Sequence, residues 1–70
     1  MKVNLDPEGD LFYVEWGNPE KARSREVEPG IYVLYNSDGE PVAVEVLFLH
    51  RRAAFQEWLT VNVPHLAALT

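Results

Sequence analysis

Four polar residues in the second half of the chain have side chains that could support chemistry. Glu45 stands in an otherwise apolar segment, and His50 is followed directly by Arg51 and Arg52. A carboxyl group in apolar surroundings can serve as a general acid or a ligand-binding group, and histidine exchanges protons near neutral pH. These four residues are therefore the candidate polar site, and acid–base catalysis is the chemistry that they would support.

The same residues also have a structural interpretation, which their spacing favours. A buried lone carboxylate is costly, so we expect Glu45 at a sheet surface, paired with an arginine or a tyrosine hydroxyl. His65 lies fifteen residues beyond His50 and the chain has no cysteine, so the spacing of a metal site is missing. The glycines are isolated turn residues, and no hydroxyl residue lies in a nucleophile-elbow sequence. We predict no catalytic, cofactor-binding or metal-binding residues.

Hydrophobic periodicity predicts the elements that position these side chains. Apolar residues alternate with others over several segments, and Gly39 supplies the turn of the clearest hairpin. Near His50 the period changes to about 3.6 residues, which predicts a helix to about Thr60 and a short last helix opening at Pro64. The predicted strands cover 2–6, 11–16, 31–36 and 42–48, with a brief strand at 25–28 and a loop over 17–24.

These elements predict an α+β fold: a three- to four-stranded antiparallel meander followed by a C-terminal helix packed on one sheet face. One domain spans residues 1–70, with the strands within 2–48 and a helical tail over 50–69. A chain of 70 residues buries only ~60 % of its unfolded surface, and no disulfide can support it. Oligomerisation is the expected additional source of stability.

Both faces of the predicted hairpin over 31–48 are apolar, and one terminal helix can cover only one of them. Monomers rarely expose a contiguous apolar patch of that kind, so we predict a homo-oligomer, most simply a dimer. Aromatic and leucine side chains are the natural anchors of such a contact. The candidate interface residues are Tyr32, Leu34, Leu47, Phe55 and Trp58.

The charge distribution bears on partners and location. Eleven acidic residues against six basic ones give a net charge of −5, which argues against nucleic-acid binding. The acidic first twenty residues would attract a basic partner protein. Lys21, Arg23 and Arg25 then follow in a polar stretch, interpreted as a solvated linker with an anion site as the alternative. Without a secretory signal or an apolar run of ~20 residues, we expect a cytoplasmic protein that does not enter membranes.

Five segments between Asp6 and Leu47 together form a recognisable pattern of order and spacing. They are Asp6-Pro7-Glu8, Asp10-Leu11-Phe12-Tyr13-Val14, Val27-Glu28-Pro29-Gly30-Ile31, Tyr35-Asn36-Ser37-Asp38-Gly39 and Val42-Ala43-Val44-Glu45-Val46-Leu47. Over this range the sequence resembles a small prokaryotic family, the domain of unknown function 2283. It departs from the family pattern at Leu34 and Asn36, where members usually carry acidic residues, and at Ala43, where glycine is common. The resemblance implies a small sheet-plus-helix protein that acts beside a partner protein, in the manner of an antitoxin, and it supplies no catalytic residues.

Three functions are therefore open from the sequence. The leading hypothesis is a non-catalytic, homo-oligomerising interaction module without a cofactor. The alternative is an antitoxin-like protein that neutralises a basic partner through its acidic surface. A small enzyme using Glu45, His50 and Arg51 is the third.

Overall fold

The computed structural model describes residues 1–62 and residue 64. It contains one antiparallel sheet with the strand order β1-β2-β5-β4-β3, followed by a helical segment. This confirms the predicted α+β architecture, with five strands where three to four were predicted. A 3₁₀ turn, Leu49–Arg51, precedes the helix α1, Ala53–Asn62. The strands are β1 (Lys2–Asp6), β2 (Leu11–Glu15), β3 (Arg23–Glu28), β4 (Ile31–Tyr35) and β5 (Pro41–Leu47).

The strand β5, which contains the buried residues of the sheet, occupies its centre, between β2 and β4. The hairpin β1–β2 therefore lies on one side of β5, and the β3–β4–β5 meander lies on the other. The chain between β2 and β3 carries the backbone from the middle of the sheet to its far edge. All six residues of the edge strand β3 are exposed.

The polar stretch after β2 enters the sheet earlier than predicted. Arg23 pairs with Tyr35 and Ser24 pairs with Leu34, so the strand begins two residues before Arg25. Pairing with β4 satisfies the backbone amides here, although the side chains have no strand pattern of their own. The predicted loop over 17–24 is therefore wrong for Arg23 and Ser24, and the predicted brief strand at 25–28 is confirmed.

The predicted single helix from His50 to Thr60 is divided at Arg52. Phe48 has a left-handed backbone conformation, φ 58°, and Arg52 leaves the helical region with φ −113°. The regular helix therefore starts only at Ala53 and runs to Asn62. The short helix predicted to open at Pro64 falls outside the described residues, apart from Pro64 itself. In the part of the chain that the structure describes, no helix is long and apolar enough to cross a membrane.

The core is thin. Among the described residues, the buried hydrophobic side chains are Val42, Ala43, Val46 and Leu49. Every residue of β2 and of β4 is only partly buried. The accessible surface is 5007 Å², compared with about 4,450 Å² expected for a folded monomer of this mass. The fold therefore leaves much apolar strand surface open to water.

Candidate functional site

One face of the sheet is apolar across four strands, and we call it the valine face. It is defined by two rows of directly paired residues that cross β1, β2, β5 and β4. Antiparallel partners place their side chains on the same side of a sheet, so each row forms a continuous apolar strip. The rows are Val3–Val14–Val44–Val33 and Leu5–Phe12–Val46–Ile31.

The helix α1 covers only one end of the valine face. The Phe55 ring packs on Phe12 with 5.4 Å between ring centroids, and Trp58 stacks on Phe55 at 6.2 Å. The main neighbour of α1 is the 3₁₀ turn rather than any strand. Trp58 remains 52 % exposed and Val3, at the other side of the sheet, 46 % exposed. Within the described residues, the valine face is thus covered at Phe12 and open toward its other row.

The opposite face, which we call the back face, carries a polar row across all five strands. Its members are paired in the order Asn4–Tyr13–Glu45–Tyr32–Glu26. Glu45 therefore lies between two phenol-bearing neighbours at the centre of the sheet. Glu45 and Tyr32 lie among the leucines of this face, so it is less apolar than the valine face.

Neighbouring carboxylates raise the pKa of the two phenols of the back face. The Tyr13 hydroxyl donates to Glu15 Oε1 at 2.7 Å. This bond, helped by partial burial and by the charges of Glu15 and Glu45, raises the pKa of Tyr13 to about 12. A hydrogen bond to Glu26 and the charge of that carboxylate, followed by burial and by the charge of Glu45, raise the pKa of Tyr32. The back face is therefore acidic, with each phenol kept protonated by a carboxylate.

Replacing Glu15→Gln should return the pKa of Tyr13 toward 10, because the amide accepts a hydrogen bond without the charge. The pKa of Tyr13 is higher in the folded protein than the ordinary value of 10.0, so the protonated phenol stabilises the fold. This stabilisation is complete below pH 10 and is lost as the pH rises through about 12. An NMR titration of the Tyr13 ring measures this pKa directly. Glu57→Gln, the same charge change on α1, is the control, and an equal shift in both variants would contradict the assignment.

The four residues of the predicted polar site have separate contacts. His50 Nδ1 contacts Asp10 Oδ2, and the His50 backbone amide donates to Asp10 Oδ1 at 3.1 Å. The Arg51 guanidinium lies 5.7 Å from the centroid of the Phe48 ring. No hydrogen bond or ion pair among the described residues joins Glu45 to His50.

Arg52 connects three parts of the fold. Its Nε donates to Leu47 O at 2.7 Å, and its Nη2 donates to Pro29 O at 2.6 Å. The Leu47 amide donates in turn to Gly30 O at 2.8 Å. The side chain thus joins the end of β5, the β3–β4 turn and the start of α1, which is a structural role.

The predicted interface residues fall on two surfaces. Tyr32, Leu34 and Leu47 lie on the back face, by their pairing with Glu45, Ala43 and Leu11 respectively. Phe55 and Trp58 belong to the helix, and Phe55 contacts the valine face. The structure therefore does not join these five residues into one surface.

Sequence reasoning missed Asp10 as the partner of His50. The two residues are 40 positions apart, and no local pattern connects them. The turn that contains Asp10 was the one sequence feature that could have pointed to this residue. Asp10 has a positive φ of 56°, a conformation that aspartate tolerates better than most residues. The side chain placed by that turn faces a cavity of about 260 Å³ lined also by Pro7, Leu49 and Gln56.

The architecture defines a class of protein: a small α+β domain built on one five-stranded antiparallel sheet, with a 3₁₀ turn and a helix after its central strand. Residues 2–49 match the family described as Protein of unknown function (DUF2283), and the chain belongs to this family. The match covers all five strands and confirms the resemblance. No curated protein and no solved structure matches the chain.

Proposed function

We propose that this protein is a non-catalytic interaction module of the cytoplasm that forms a homodimer through its valine face. The observation that carries the proposal is the partly exposed apolar row Val3–Val14–Val44–Val33, which crosses four strands beside the row that the described part of the helix contacts at Phe12. Val3 of this row is 46 % exposed, and Val14, Val33 and Val44 are only partly buried.

Association through the valine face and association through the back face would have different energetic consequences. Pairing the valine faces of two copies removes apolar side chains from water, at about 25 cal/mol per Å². Pairing the back faces would bring together Glu15, Glu26 and Glu45 from each copy, and like charges in a contact are repulsive. The valine face is therefore the better self-complementary surface.

Neighbouring residues of β4 allow a matched test. Val33 lies on the valine face and Leu34 on the back face, and both are partly buried. We expect Val33→Asp to shift the protein to monomer, weakening dimerisation at least about tenfold, which corresponds to about 1.4 kcal/mol. Leu34→Asp should leave the dimer intact.

Sedimentation equilibrium of both variants measures the effect, with circular dichroism to confirm that each variant is folded. If Val33→Asp misfolds, the smaller change Val33→Thr replaces it in the same measurement, because a threonine hydroxyl also weakens an apolar contact. Dissociation by Leu34→Asp with no effect of the Val33 variants would place the contact on the back face and contradict the proposal.

A second candidate function rests on the back face. Three carboxylates, those of Glu15, Glu26 and Glu45, lie there, and none forms an ion pair with a base among the described residues. A basic partner protein would find complementary charge on this face, as an antitoxin-like function requires. Saturable binding of a lysine-rich peptide by a monomeric protein, abolished by Glu15→Gln with Glu45→Gln, would favour this function over the first.

A further inference from the structure

A groove at the β3 edge of the sheet gathers basic side chains. Its volume is about 540 Å³, within the range of small-molecule sites, and Lys21, Arg23 and Arg25 line it. These three are half of the six lysines and arginines in a chain with a net charge of −5. Ser24, Tyr35 and Ser37 add hydroxyl groups to its lining, and Asn36 adds an amide. The groove is thus a local positive region on an acidic protein.

The register of β3 explains how the bases come together. Arg23 pairs with Tyr35 and Arg25 pairs with Val33, so both arginines lie on the same side of the strand, about 7 Å apart along it. Of the two carboxylates of the strand, Glu26 lies on the back face, and Glu28, which pairs with Ile31, lies on the side of the arginines but at the far end of β3. The charged residues that β3 contributes to the groove are therefore the basic ones.

None of the three bases is neutralised within the described part of the chain. The ion pair found there is that of His50 with Asp10, and no carboxylate oxygen of those residues lies within 4.0 Å of a nitrogen of Lys21, Arg23 or Arg25. Lys21 is also held in a left-handed backbone conformation, φ 61°, which a bulky residue adopts only at a cost. The loop and the strand thus bring unpaired cations to one groove.

We infer that this groove binds the phosphate group of a small molecule. Two guanidinium groups and an ammonium group would neutralise its charge, and the planar fork of arginine matches phosphate oxygens in a bidentate arrangement. Hydroxyl donors beside them add the hydrogen bonds that orient such a ligand. Bases on an edge strand also discourage pairing with other chains, but that purpose needs neither a groove nor adjacent hydroxyls. The site lies at the margin of the valine face and does not depend on dimerisation.

The test is an NMR titration of the full chain with sodium pyrophosphate and with ADP. We expect saturable shifts at the amides of Arg23, Arg25 and Ser37. The double variant Arg23→Gln/Arg25→Gln should bind at least about tenfold more weakly, because it removes both charge-assisted forks. Tighter binding of ADP than of pyrophosphate would identify a nucleotide, and equal binding a simple diphosphate; either supports the inference.

The control variant Lys2→Gln/Arg51→Gln removes the same charge from positions outside the groove and should bind as the native protein does. Thermal melting of both double variants shows whether they are folded, which we expect because β3 is exposed throughout. Equal affinity in the two double variants would overturn the inference. So would citrate binding as tightly as pyrophosphate, or a single-stranded oligonucleotide binding more tightly than both phosphate compounds.

Discussion

Replacing Arg52→Ala should lower the free energy of unfolding by about 2–4 kcal/mol, because hydrogen bonds from a charged donor contribute about 1.5–3 kcal/mol each. The side chain donates to Leu47 O at 2.7 Å and to Pro29 O at 2.6 Å, and these two carbonyls belong to different elements. For a domain of 70 residues, whose total stability is about 4–10 kcal/mol, a loss of this size is large.

Arg51→Ala provides the matched control for this prediction. Arg51 is exposed, and its guanidinium contacts the Phe48 ring at 5.7 Å, an interaction of about 0.5–1 kcal/mol at such sites. Both variants remove one arginine from adjacent positions, so charge alone changes equally. Urea denaturation followed by circular dichroism gives both free energies. Equal destabilisation by the two substitutions would show that the contacts of Arg52 with Leu47 and Pro29 are not important.

Replacing Gly30→Ala should destabilise the fold by about 2–4 kcal/mol for two separate reasons, conformation and contact. Gly30 has φ +77°, where a side chain clashes with its own backbone. A Cβ atom there would also lie 2.6 Å from Arg52 Nη2 and 2.9 Å from Phe48 Cδ2. The substitution would therefore displace the Arg52 side chain from the β3–β4 turn.

The variant Gly39→Ala distinguishes the cost of the backbone conformation from the cost of the close contacts. Gly39 has nearly the same conformation, φ +81°, but a Cβ atom there meets nothing within 4 Å. Its cost should be the conformational part alone, about 1–2 kcal/mol. Urea melts of the two variants give the difference. If Gly39→Ala is as destabilising as Gly30→Ala, the close packing around Gly30 does not contribute to the free energy of unfolding.

The sequence was sufficient to predict the strands in which apolar residues alternate clearly with others. Alternation of apolar residues predicted β2, β4 and β5, and the Asn36–Gly39 turn joins the last two as expected, with the Asn36 side-chain oxygen accepting from Asp38 and Glu40 amides. The sequence pattern could not predict that β3 starts at Arg23, because this start depends on pairing with β4 rather than on the side chains of the segment.

The candidate site was less predictable than the fold, and the reason is the kind of contact involved. Arg52 was expected in a polar site, but its partners are backbone carbonyls, which every residue possesses and no sequence pattern marks. The contact of His50 with Asp10 spans 40 residues. Glu45 was expected at a sheet surface, paired with an arginine or a tyrosine hydroxyl. It lies between Tyr13 and Tyr32 in the strand pairing, but the Tyr13 hydroxyl donates to Glu15 instead.

The strand pairing also changes how the surfaces are interpreted. Leucines on the back face suggested a second apolar surface, yet the row that holds Glu26 and Glu45 lies between the rows of Leu34 and Leu47. The valine face has no carboxylate in either of its four-residue rows. The apolar character that the sequence shows on both sides of the hairpin is thus concentrated, in the folded chain, on one side of the sheet.

The molecular mass of the native protein in solution tests the central claim most directly. One chain has a mass of 8.0 kDa, so a dimer through the valine face has twice that mass. Size-exclusion chromatography with light scattering, run over a series of micromolar dilutions, should give the dimer mass at the higher concentrations and a decline toward 8.0 kDa on dilution. A constant mass of 8.0 kDa throughout the series would contradict the proposal that a second copy covers the valine face.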